Sequence, residues 1–158
     1  MTDPTPIIDR DAVREEVSAR LLRRLLAELV EDLRCAEATV WVISADGTRM
    51  DAAINHGPTA GVVESQSVPA NESVVGMVAA NGFATAIGPA DWHNPSVDQA
   101  TGTPTLAMVA APILLRGQPI GVLSAINPRD GGVFSAPAVD TIQWRAYLAG
   151  LIIGEQAG

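Results

Sequence analysis

Residues 104–134, PTLAMVAAPILLRGQPIGVLSAINPRDGGVF, decide the fold. Two uncharged apolar runs, residues 106–115 and 120–126, flank Arg116-Gly117-Gln118-Pro119. Gly and Pro in the gap punctuate the chain as a hairpin turn requires. Neither run alternates cleanly between apolar and polar residues, so both are expected to be buried on both faces. They are read as the two central antiparallel strands of a sheet, which the rest of the chain must cover or extend.

Working outward, residues 38–44 (ATVWVIS) have strand composition, and Asp46-Gly47 is the strongest short hairpin signal in the chain. Residues 49–56 are the returning strand and 67–69 a short edge strand, separated by a loop over 57–66. Residues 71–82 read as a short helix with Asn71 as N-cap and Asn81-Gly82 as its stop. A strand over 83–87 follows. Residues 88–103, GPADWHNPSVDQATGT, break all periodicity, and loops that long tend to be functional or disordered.

Long helices are expected at both ends. Asp9 or Asp11 can cap a helix running to about Arg34, with Val13, Val17, Leu21, Leu25, Leu29 and Leu33 near helical spacing. Leu22, Leu26 and Val30 form a second stripe, so the apolar face is wider than one sheet contact needs. Ser135 caps a last helix that tolerates Pro137 in its first turn and is apolar nearly all round, from Val139 to Ile153. A second copy of the chain is expected against both helices. Strands in series with helices at either end give an α+β fold on an antiparallel sheet. Residues 1–9 read as a loose tail and 10–158 as one domain.

Composition narrows the function. The 158 residues are 47% hydrophobic and 18% charged, the profile of one packed domain. A net charge of -8 argues against binding a phosphate backbone. No apolar run is long enough to span a bilayer. The opening MTDPTPIIDRD lacks a signal-peptide pattern, so the expected compartment is the cytosol. The single cysteine, Cys35, allows no internal disulfide and no cysteine-based zinc site. It is read as a semi-buried filler at a helix end.

The stretch Ala111-Pro112-Ile113, a Gly turn, Pro119-Ile120-Gly121-Val122-Leu123, Asn127 and Val133-Phe134-Ser135 resembles the second half of a GAF domain. The resemblance extends over roughly residues 21–153. It implies a PAS-related sheet with the terminal helices on one face and a helix and loops on the ligand side. It also implies that residues 88–103 fold over a cavity. GAF ligands include cyclic nucleotides, small acids, nitrate, haem and bilins, so the resemblance names a class and leaves any cofactor unknown.

A pocket needs apolar walls and a few convergent polar groups. Ala107, Ala110, Ala111, Ser124 and Ala125 leave room on the strands. Trp92 can supply a stacking face, Asp91 or His93 an orienting hydrogen bond, and Trp41 another wall. Met108 and Ser124 complete the candidate set. Trp41 also reads as sheet core, and Asn127 as a strand end before Pro128. Asp91, His93 and Asp98, with His56, could ligate a divalent ion, but they read better as solvated turn formers, and no metal is expected.

The expected function is a small-molecule-sensing or regulatory domain without catalysis, homodimeric, signalling through a partner protein or as part of a longer chain. One alternative is a ligand-free dimerisation module. Another is a redox enzyme similar to the free methionine sulfoxide reductases, whose pocket cysteines this sequence lacks after residue 35.

Overall fold

The computed structural model describes residues 8–157. Six strands form one sheet: β1 (Cys35–Ile43), β2 (Arg49–His56), β3 (Ser67–Pro69), β4 (Thr85–Ile87), β5 (Met108–Leu115) and β6 (Gln118–Pro128). Their order is β3-β2-β1-β6-β5-β4, with every neighbouring pair antiparallel. The central pair is therefore β1 and β6. This corrects the expectation that the hairpin of β5 and β6 is central: β5 has only three-residue β4 outside it. The hairpin itself forms as read, and its turn is tighter. Arg116 (φ 53°) and Gly117 (φ 77°) make a two-residue turn with both residues left-handed, while Gln118 and Pro119 already belong to β6.

Alternation along the strands divides the core in two. Ala38, Val40 and Val42 of β1, Val109, Ala111 and Ile113 of β5, and Leu123 and Ala125 of β6 join one cluster. Trp41, Met50, Ala52, Ala110 and Val122 join the other. The first cluster is sealed by α2 (Glu16–Leu33) and α6 (Ala136–Ala157), which pack on the sheet and on each other. Leu22, Leu26, Leu29 and Ile142 are completely buried there. Each such side chain contributes about 1.5–3 kcal/mol on leaving water. Gly150 lets α6 approach β5, because a Cβ there would collide with the Leu114 carbonyl. Arg145 of α6 binds Glu28 and Asp32 of α2, fixing the pair along its rim.

The expected single first helix is split. α1 (Arg10–Val13) ends at Arg14, Glu15 is extended (φ -56°, ψ 142°), and α2 starts afresh. The reason lies in the sheet. Ala53 is an extra residue on β2, where the register shifts opposite Val40 and Trp41. Ala53 and Ile54 both join the helix-side core. The break lets Arg14 donate to the Ala53 and Ala52 carbonyls and to that of Glu64, so the bulge is capped by a side chain that a straight helix would carry past it. Residues 1–7 of the expected tail lie outside the described residues. Its last two residues are structural: Ile8 is buried and Asp9 caps α1 by accepting from the Ala12 N–H.

The other sheet face carries α3 (Ala60–Val63), a 3₁₀ turn over Ala70–Glu72, α4 (Val74–Asn81) and α5 (Ser96–Thr101). Both segments read as pure loops thus hold a short helix. Ser73, not Asn71, caps α4, its Oγ accepting from the Gly76 N–H at 3.1 Å. Gly82 ends α4 in the left-handed conformation. Asn127 (φ 60°) does not end β6. Its side chain accepts from the Leu106 and Ala107 N–H groups and donates to the Pro104 carbonyl, which holds the entry to β5.

Candidate functional site

The period of two that gives the helices their dry face also puts Glu37, Thr39 and Trp41 of β1 on the opposite side, beside Ser124 and Ile126 of β6. Met108 of β5 lies next to them. Ser73, Val74 and Val75 at the start of α4 form one wall, and Val63 and Val68 another. His93, Asn94, Val97 and Asp98 close over the top. The partly open cavity measures about 60 Å³. A larger groove of about 350 Å³ lies elsewhere, lined by Ile43, Met50, Ala79 and Pro119 among others, but it holds no ionisable group.

The cover is tied down by polar contacts. Asp98 accepts from the Thr105 N–H (2.8 Å) and hydroxyl (2.7 Å) and pairs with His93 Nε2 at 2.8 Å. Burial acts to raise the Asp98 carboxyl, but these three hydrogen bonds together hold it below the ordinary carboxylate value. Asn94 donates to the Glu72 carbonyl at 2.9 Å, joining the cover to the turn before α4. α5 packs on α3.

The floor is polar and buried. Trp41 Nε1–H donates to Ser124 Oγ at 2.9 Å. Asn55, across from Thr39 on β2, donates from Nδ2 to Thr39 Oγ1 at 2.8 Å and to Glu37 Oε1 at 3.3 Å. Burial pushes the Glu37 carboxyl up; the Asn55 hydrogen bond offsets part of that, and the charge of Asp98 adds to it.

The structure gathers Trp41, His93, Met108 and Ser124 around this cavity. It leaves Asp91 and Trp92 outside. Trp92 is 64% exposed, which corrects its reading as a stacking face. Asp91 turns back to accept from the Gly88 N–H at 2.8 Å, closing the start of the loop on itself. Glu37, Thr39, Asn55 and Thr105 were missed. Glu37 and Thr39 share parity with Trp41, which is a signal for both; Glu37 also falls outside the strand read as 38–44, which in the structure begins three residues earlier, at Cys35. His56 is exposed at the end of β2. Among the described residues no three His, Cys, Asp or Glu side chains converge as metal ligands.

Thiol chemistry has no foothold in the geometry. Cys35 is the first residue of β1, fully buried, and burial pushes its thiol up to about 11. A neutral thiol without access is a poor nucleophile.

A GAF domain family model matches residues 19–153, and the chain belongs to the GAF domain family. That family is known in sensor and regulatory signalling proteins. Among solved structures, residues 122 to 287 of a methyl-accepting chemotaxis protein superpose with a TM-score of 0.75 at 16% identity, covering 93% of this chain and 95% of that one. The GAF domain/HD domain protein from Geobacter sulfurreducens gives 0.71 at 17%, covering 90% and 98%. The GAF-B domain of DevS from Mycobacterium smegmatis gives 0.68 at 17%, covering 85% and 91%. At these identities the likeness speaks for the fold. Comparison with curated proteins gave no match. No helix among the described residues is long and apolar enough to cross a membrane.

Proposed function

We propose that the chain is a cytoplasmic sensory or regulatory module that takes a small molecule into the cavity under His93–Asp98, without catalysing a reaction. One observation carries this reading: a cavity with a polar lining sits under a cover held by hydrogen bonds of His93, Asn94 and Asp98 as well as by the packing of Val97. β1 and β6 present the cavity on one face and the seats of α2 and α6 on the other. Occupancy is then transmitted as a shift between two packings of those helices.

The helices in turn offer a surface for a second copy. Trp144, Tyr147 and Leu151 of α6 are 59%, 57% and 53% exposed, and the two aromatic rings stack at 5.6 Å. Val17 and Leu21 of α2 are 58% and 48% exposed. A homodimer through both helices removes these groups from water, and a signalling partner reads the pair. Sedimentation equilibrium at micromolar protein is expected to give the mass of two chains, and Leu151→Glu the mass of one. A single-chain mass for the unaltered protein would refute the dimer.

A thermal-shift screen with amines, amino acids, cyclic nucleotides, nitrate and tetrapyrroles tests sensing. At least one class is expected to raise the melting temperature; a flat screen would refute it. The second reading, a ligand-free dimerisation module, draws on the small size of the cavity: about 60 Å³ is well short of the roughly 300 Å³ at which drug-sized pockets begin.

A further inference from the structure

The charge and the unmet hydrogen bonds of the cavity select among ligands. Two carboxylates line it, Glu37 and Asp98, and no arginine does. Asp98 is already engaged by Thr105 and His93. Glu37 is not. It is only 9% exposed, one oxygen takes a long bond from Asn55, and Oε2 takes none from the described residues. Oε2 is not fully enclosed: it keeps accessible surface on a residue that lines the cavity, where a ligand donor can reach it.

The hydroxyls supply the second, independent requirement. Thr39 and Ser124 are 4% and 3% exposed and line the same space. Each already accepts a hydrogen bond, from Asn55 Nδ2 and Trp41 Nε1 respectively, and neither hydroxyl proton has an acceptor among the described residues. The cavity therefore lacks a donor at Glu37 and an acceptor at Thr39 and Ser124. An anion would meet the hydroxyls but face two carboxylates in a low-dielectric site. A divalent metal would find too few converging ligands. A cavity of about 60 Å³ admits only a few heavy atoms.

Resting on the sensing reading above, we propose that the cavity binds a small organic cation. Its ammonium group lies against Glu37 and Asp98, and a neutral oxygen accepts from Thr39 or Ser124. Ionised Glu37, which burial and Asp98 both disfavour, gains a counter-charge when the ligand enters.

The test uses three near-isosteric probes on the full ¹⁵N-labelled chain at pH 7: ethanolamine hydrochloride, ethylene glycol and sodium glycolate. The reporter is the Trp41 indole N–H, which faces the cavity through Ser124. Ethanolamine is expected to shift it saturably, at least tenfold tighter than ethylene glycol, and glycolate not to shift it. Glu37→Gln is expected to narrow the gap between the first two probes to threefold or less. Glycolate binding as tightly as ethanolamine overturns the cation assignment and leaves sensing intact. So does an unchanged gap in the variant, or a saturable shift with magnesium or zinc chloride alone. No shift with any probe overturns the assignment as well. Sensing falls with it only if the broad thermal-shift screen is also flat. The probe series on the unaltered chain decides the question even if the variant does not fold.

Discussion

The two faces of the sheet are made from the same strands and solve opposite problems. On the helix side, long apolar side chains from α2 and α6 fill the space over Val40, Val42, Ile113 and Leu123. On the other side, short helices and a polar cover leave a gap over Glu37, Thr39 and Ser124. One residue step along β1 separates the helix-side core from the polar floor of the cavity. The difference teaches where stability and function are placed: packing on one face makes it affordable to leave the other incomplete.

The largest test of this contrast is a core truncation. Leu26→Ala, at a fully buried position on α2, is expected to lose about 2–5 kcal/mol in chemical denaturation, because the opened space cannot refill. A loss below about 1 kcal/mol would mean that the helix face is not the stabilising one. On the cavity face, Ser124→Ala removes the acceptor of the Trp41 indole. A buried donor left unsatisfied costs about 1–3 kcal/mol. If the cavity is wet, water takes over part of the bond, and the loss falls at the low end of that range.

Acid titration sharpens the same comparison, since the two cavity carboxylates pull in opposite directions. Asp98 is held below its ordinary 3.8, so its contribution is present above that pH and is lost as pH falls through the lowered value. Glu37 is raised above its ordinary 4.5, so its contribution is full below that pH and is withdrawn as pH rises through the raised value. Unliganded protein carrying Glu37→Gln is expected to show a flatter stability profile above pH 4.5, followed by denaturant midpoints against pH. An unchanged profile would place Glu37 in solvent. The smallest effect belongs to Trp92→Ala. An exposed side chain outside the cavity is expected to change stability by less than about 0.5 kcal/mol and to leave ligand affinity unaltered.

Much of the architecture was legible because it rests on patterns. In the Asp46-Gly47 and Arg116-Gly117 turns a glycine supplies a left-handed position, and the over-wide helix stripes announce both a sheet contact and a leftover surface. The failures have physical causes. The break at Arg14 follows from a bulge on β2, a tertiary feature that no helical periodicity records. α5 was hidden because its six residues carry no apolar stripe, and its own Asp98 and the preceding Asn94 bond out to Thr105 and Glu72 instead. In the site, an aromatic residue in a polar loop drew the reading to Trp92. The buried polar pairs Asn55–Thr39 and Trp41–Ser124 join residues distant in sequence and become visible only once register is known.

The central claim is that the face opposite the terminal helices encloses a ligand. It is tested most directly by crystallography of protein purified from its host without unfolding. The account predicts ordered non-protein density within hydrogen-bonding reach of Glu37 Oε2 and the Ser124 hydroxyl. Val63, Val97 and Met108 closed together over Trp41, with no density between them, would contradict it.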